Sequence, residues 1–170
     1  MRSFCLYGAL CVAIQGLSGC GSDPVVETKT EVTNTTKVAQ YDRLVVAFGD
    51  SLYAGYRLAP GEGLAPQLQA ALQAAGIKAR VHNAGVSGDT TAAGKARLAF
   101  VLDNLERKPD LVVLGLGGND MLRGIKPSET KANMTTMMDE LKRRGIPVVL
   151  TGMLASPNMG QDYGKSFNGI

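Results

Sequence analysis

From residue 43 onward the chain alternates two kinds of hydrophobic pattern. Leu44-Val45-Val46-Ala47-Phe48 is a short, unbroken apolar run closed by Gly49, the signature of a strand buried on both faces. Pro66 then opens a stretch in which Leu68, Leu72 and Ala75 recur at helical spacing, closed by Gly76. Residues 78–83 read as a second, weaker strand. Residues 91–107 read as a helix, because Leu98, Val101, Leu102 and Leu105 fall at i, i+3, i+4 and i+7 and Pro109 follows. Residues 111–114 form a third strand and residues 128–144 a third helix, with Met134, Met137, Met138 and Leu141 on one face and Gly145 at its end. That methionine stripe is core packing rather than a cofactor box. Residues 147–152 give a fourth strand, and residues 163–170 begin another helix. Strand and helix repeating in this way specify an α/β fold: a parallel sheet with helices on both faces and ligands at the carboxyl ends of its strands.

The first forty residues follow neither pattern. Arg2 precedes an apolar run over residues 4–14, too short to span a bilayer as a mature helix and suited to an export signal. All three cysteines, Cys5, Cys11 and Cys20, lie in this segment, so the rest of the chain has no thiol chemistry. Leu17-Ser18-Gly19-Cys20 resembles a bacterial lipobox, whose cysteine is lipidated and becomes the mature N-terminus. The expected organisation is a lipoprotein signal peptide over residues 1–19 and a lipidated Cys20 with a solvated tether through residue 40. The folded domain then occupies residues 41–170. A chain of 170 residues has room for one domain of ordinary size.

Charge and composition exclude several classes of function. The formal net charge is +3 and the basic residues are scattered, the widest cluster being Lys142-Arg143-Arg144 at a helix end, where cations suit the dipole. This is no nucleic-acid footprint. His82 is the only histidine, which rules out a multi-histidine metal site. It falls near the end of the second strand and reads as structural or as a surface residue.

The unusual residues collect just past the strands. The first strand runs into Gly49-Asp50-Ser51-Leu52, the second into Ser87-Gly88-Asp89-Thr90-Thr91, the third into Gly117-Gly118-Asn119-Asp120. Each alone is an ordinary turn. Together, at one edge of one sheet, they form a plausible reaction rim. The Gly-x-Ser-x-Gly signature of α/β-hydrolases occurs at no serine, and a dinucleotide reading from Gly115 fails because residue 120 is Asp.

In these three blocks the chain resembles the SGNH (GDSL) hydrolases, most nearly the exported bacterial thioesterases, arylesterases and lysophospholipases. Gly49-Asp50-Ser51-Leu52 matches the nucleophile block, Gly88 the glycine block and Asn119 the asparagine block. The resemblance runs from residue 43 to residue 170. It implies a flavodoxin-like three-layer α/β/α sandwich and a serine esterase or thioesterase working through an acyl-enzyme. Ser51 would be the nucleophile. The oxyanion hole would be made by the backbone N–H groups of Ser51 and Gly88 and the side-chain amide of Asn119. The implied partners are an acyl ester or thioester substrate and, through Cys20, a membrane of the bacterial cell envelope. No metal and no cofactor is implied. Tyr53 departs from the small residue often found after the leucine, which bears on the shape of the acyl pocket.

The family's base block, Asp-x-x-His near the C-terminus, has no counterpart among these 170 residues. The expectation is a hydrolase domain lacking its last strand and helix, inactive as given because the base is absent. The alternative is a domain that keeps the acyl cleft only for binding, or a catalytically dead remnant. The leader generates a first prediction: a bacterial host fed labelled palmitate incorporates label into the wild-type chain and not into Cys20→Ala. Equal labelling of both would refute the lipobox.

Overall fold

The computed structural model describes residues 40–170; the signal, the lipidation and the tether assigned to residues 1–39 lie outside the described residues. The elements, in chain order, are β1 (Arg43–Gly49), α1 (Ser51–Ala54), α2 (Leu64–Ala74), β2 (Ala79–Gly85) and α3 (Thr91–Asp103). They continue with β3 (Leu111–Gly115), α4 (Gly118–Leu122), α5 (Pro127–Arg143), β4 (Val148–Leu150), a 3₁₀ turn at Pro157–Met159 and α6 (Gln161–Asn168). The four strands form one parallel sheet in the order β2-β1-β3-β4, the start of a flavodoxin-like arrangement.

The alternation along β1 explains the three layers. Val46 and Phe48 join Val112 and Leu114 of β3 on one face, where Leu98 and Leu102 of α3 and Met134, Met137 and Leu141 of α5 cover them. Val45 and Ala47 join Val113 on the other face, under Tyr53, Ala65 and the flanks of Leu68 and Leu72. Both faces of the central strands are therefore dry, as an unbroken apolar run requires. On the outside of the sheet β4 is short, and its Val149 and Leu150 are exposed.

Several boundaries differ from those the pattern predicts. The second strand extends to Gly85, so Ala84 and Gly85 belong to the sheet rather than to a turn, and His82 sits in mid-strand opposite Val46 instead of at the strand end. The second long helix ends at Asp103 and not near residue 107. There Asn104 closes it with both its backbone N–H and its side-chain amide on Phe100 O, the latter at 2.8 Å. The fourth strand keeps only Val148–Leu150 in register with β3. Met138 leaves the core stripe: it is exposed, because it lies round the helix from Met137, beyond the reach of the sheet. The basic cluster is engaged locally. Arg143 and Arg144 reach Glu140 at 2.7 and 2.6 Å and Arg144 also pairs with Asp103. Hydrogen bonds from the two guanidiniums hold the Glu140 carboxyl down to about 2.

Three glycines end the three adjacent strands β2, β1 and β3 in register, Gly49 opposite both Gly85 and Gly115. The short α1 lies directly on them. A Cβ at Gly85 would stand 2.2 Å from Ala54 N, and one at Gly49 2.2 Å from the Tyr53 ring. Gly85→Ala is therefore expected to destabilise the fold by about 1–3 kcal/mol, since backbone must move. Gly152→Ala, where no atom lies within 4 Å, is expected to stay within about 0.5 kcal/mol. Urea unfolding of the two variants checks the contrast.

Candidate active site

The three blocks named from the sequence come together at the carboxyl edge of the sheet. Asp50 is buried and caps α1, its Oδ1 accepting from Leu52 N at 3.0 Å. This turns the chain sharply off β1 and sets Ser51, half-buried, at the first position of the helix, where backbone N–H groups have no helical acceptor. The glycine block docks against this turn through Val86 N, which donates to Gly49 O at 3.0 Å. The asparagine block docks in turn against the glycine block, Asn119 Nδ2 donating to Asp89 O at 2.9 Å. Gly118 closes the ring, because a Cβ there would stand 3.3 Å from Asp50 Oδ2.

The donors in this cluster remain available. Among the described residues neither Ser51 N–H nor Gly88 N–H donates to a protein acceptor. Gly88 has φ +87°, a left-handed conformation suited to glycine, and its carbonyl accepts from Arg123 Nη2 at 2.9 Å. Of the two hydrogens on Asn119 Nδ2, Asp89 O takes one. Backbone N–H groups and an amide hydrogen are donor types that can stabilise a developing oxyanion.

Residues the motifs do not single out hold this arrangement. Asp120 is fully buried and accepts from Thr91 N at 2.8 Å, from Thr91 Oγ1 at 2.5 Å and from Thr130 Oγ1 at 3.2 Å. It pins α4, and with it Asn119, to α3 and α5. Asp89 is buried beside Arg97, whose Nε lies 2.6 Å from Asp89 Oδ2. A buried carboxylate at each motif was the available signal, since charge in a core must be paired or hydrogen-bonded.

One expectation changes here. Tyr53 does not shape a pocket at the site mouth: it is buried in the core with Val45, Ala47, Ala65 and Val113, its hydroxyl 2.7 Å from Thr151 Oγ1. His82 is three residues below the strand end that carries the glycine block, a rise of about 10 Å. The structure does not bring it to Ser51. Among the described residues no group of three or more His, Cys, Asp or Glu side chains is placed to hold a metal ion.

The geometry of three turns at one edge of a parallel sheet, with a serine opening a helix, agrees with the comparisons. The GDSL-like Lipase/Acylhydrolase family profile matches residues 47–169, and the chain belongs to that family. It is 40 % identical over 136 residues to Esterase TesA of Pseudomonas aeruginosa, a match covering 80 % of this chain and 66 % of that protein. It is 34 % identical over 136 residues to the Thioesterase 1/protease 1/lysophospholipase L1 of Escherichia coli, covering 80 % of this chain and 62 % of the relative. The chain therefore spans just under two thirds of the length of these relatives. Among solved structures, the SGNH-hydrolase family esterase AlinE4 superposes with a TM-score of 0.75 at 52 % identity, covering 76 % of this chain and 69 % of the other.

The Tyr53 hydroxyl carries a pH prediction. Burial pushes its pKa above the ordinary tyrosine range; the Thr151 hydrogen bond opposes this and the Asp50 charge adds to it. As pH rises past about 10, the unfolded chain gives up this proton before the folded one does. The native state then binds more protons, so unfolding free energy falls as pH rises. Tyr53→Phe is expected to lessen that alkaline slope, while Tyr163, also shifted upward by burial, keeps its own share. Stability curves between pH 8 and pH 11 check it; an unchanged slope refutes it.

Proposed function

We propose that this domain hydrolyses acyl esters or thioesters, in the manner of an arylesterase or lysophospholipase, through an acyl-enzyme on Ser51. The observation that carries the reading is the closed ring of contacts joining the three blocks: Val86 N on Gly49 O, Asn119 Nδ2 on Asp89 O, and Gly118 against Asp50. The names of the relatives, an esterase and a thioesterase with lysophospholipase activity, point to the same class.

In this mechanism Ser51 Oγ attacks the acyl carbon and loses its proton to a base. The carbonyl oxygen becomes an oxyanion that accepts from Ser51 N–H, Gly88 N–H and the second hydrogen of Asn119 Nδ2. Collapse expels the alcohol or thiol, which takes up a proton. Water then attacks the acyl-serine and releases the acid and the free hydroxyl. Each donor interacts most strongly in the transition state, and one such donor is worth about 2.7–4 kcal/mol. His82, the chain's one histidine, lies in mid-β2 and serves no part of this sequence. Among the described residues no histidine is brought to Ser51, and without a base the hydroxyl is protonated and weakly nucleophilic. The reading also includes the envelope location expected from the leader, with acyl chains on Cys20 tying the domain to a membrane at about 0.8 kcal/mol per buried CH₂.

The test is p-nitrophenyl acetate turnover by the 170-residue chain. The Ser51-dependent rate is expected below about 1 s⁻¹, the low end of ordinary enzymes. In a form of the protein that carries the family's Asp-x-x-His block, Asn119→Ala is expected to lower the Ser51-dependent kcat by about 10²–10³, with a smaller change in KM. In that form, a rate indifferent to Ser51→Ala overturns the reading. In the 170-residue chain, a Ser51-dependent rate well above about 1 s⁻¹ would show that some base serves, with His82 the first candidate.

A further inference from the structure

Arg97 is the least exposed arginine of the ion pairs, with a side chain 20 % exposed, and nothing in the motifs assigns it a role. It sits on α3, two turns along from the glycine block. Its guanidinium makes three contacts at once. Nε donates to Asp89 Oδ2 at 2.6 Å, Nη2 donates to Gly49 O at 3.0 Å, and the plane lies 4.0 Å from the centroid of the buried Phe48 ring. Gly49 O is the last carbonyl before Asp50-Ser51, and it also accepts from Val86 N. Asp89 is the residue whose own carbonyl holds the Asn119 amide.

We infer that Arg97 is the positioning residue of the oxyanion donors: its fork fixes the distance between the nucleophile turn and the glycine block, and through Asp89 it aims the Asn119 side chain. This rests on the oxyanion reading above and deepens it. The chemistry suits arginine alone. The guanidinium presents rigid, diverging N–H donors and a flat face, so one side chain serves a carboxylate, a carbonyl and an aromatic ring. A lysine would keep the charge beside Asp89 but offers one flexible point donor. Among the described residues Arg97 is the one cation paired with the buried Asp89 carboxylate, so the pair is unlike the exposed bridge between Arg80 and Glu106. The arrangement also accounts for the depth of Asp89: a buried carboxylate one residue after Gly88 makes the loop's carbonyls answer to α3 rather than to solvent. Phe48 supports the fork from beneath, so Arg97 connects the same β1 end to the core and to the loop.

The experiment uses the 170-residue chain in two measurements that need no general base. In the first, ¹⁵N NMR follows the Asn119 side-chain amide and the Gly88 N–H without ligand. Arg97→Met and Arg97→Lys are both expected to shift these signals and to speed hydrogen exchange at Asn119 Nδ2, with the resonances of β3, and of β1 away from Phe48 and Gly49, unmoved. In the second, phenylboronic acid adds to Ser51 Oγ: the trigonal boron gains the B–O bond, becomes a tetrahedral anion and the serine proton leaves to solvent. Its affinity is read by ¹¹B NMR. Arg97→Met is expected to weaken the adduct about 10- to 100-fold, as displaced positioning groups do. Arg97→Lys does not rescue it. In the Asn119→Ala background the Arg97→Met effect shrinks, because the two share one path. Unshifted Asn119 and Gly88 signals in a folded Arg97→Met overturn the proposal, as does a full effect that persists beside Asn119→Ala or a complete rescue by lysine. A boronate adduct indifferent to Ser51→Ala overturns the oxyanion reading instead, and the ligand-free measurement still decides Arg97 by itself.

Discussion

The site depends on the absence of side chains at three points. Gly49, Gly85 and Gly115 end adjacent strands in register, and α1 lies on that bare patch with backbone atoms closer than any Cβ permits. Strand-end glycines are otherwise a cost, since they weaken the sheet and lose more entropy on folding. Here they let a four-residue helix sit down on the sheet, so the chain leaves β1 and presents Ser51 within one residue. The same patch gives Tyr53 its slot, so the core on one face of the sheet and the nucleophile turn are parts of one packing unit.

Around that unit the polar residues divide the work by burial. Asp50, Asp89 and Asp120 are each nearly or fully buried and each adjoins a motif residue: Ser51, Gly88 and Asn119. The motif residue is partly or wholly exposed and its acidic neighbour is buried. Asp50 caps a helix, Asp89 pairs with Arg97 and Asp120 collects the two threonine hydroxyls and a backbone N–H. Buried carboxylates are tolerated only with such partners; those of Asp89 and Asp120 lie on other elements, so these two aspartates lock their loops to the scaffold.

Hydrophobic periodicity reveals the sheet and its long helices because both faces of β1 and β3 are buried and α3 and α5 show helical stripes. It does not reveal α1 or α4, which are too short for a period to register. The ends of β2 and α3 shift because strand pairing and an asparagine cap, not hydrophobicity, decide them. The motif residues are visible as turn sequences after strands. Arg97 is not, because its partners lie 8 and 48 positions away and only the folded sheet brings Gly49 beside the start of α3. Tyr53 misleads for a related reason: a large side chain next to the serine block suggests a pocket wall, while the glycine patch draws it into the core.

The Tyr53–Thr151 hydrogen bond has a consequence for the outer strand. Strand β4 pairs over only three residues, Val148 to Leu150, and a strand so brief is prone to slide by a step along its neighbour. A one-step slip would turn Val149 inward and Val148 outward. Thr151 follows β4 directly, and its hydroxyl can meet the phenol in one register alone, over the gap that Gly115 leaves open. The aromatic ring beside the serine thus acts as a bolt through three strands, and it keeps the free border of the sheet aligned with the reaction edge.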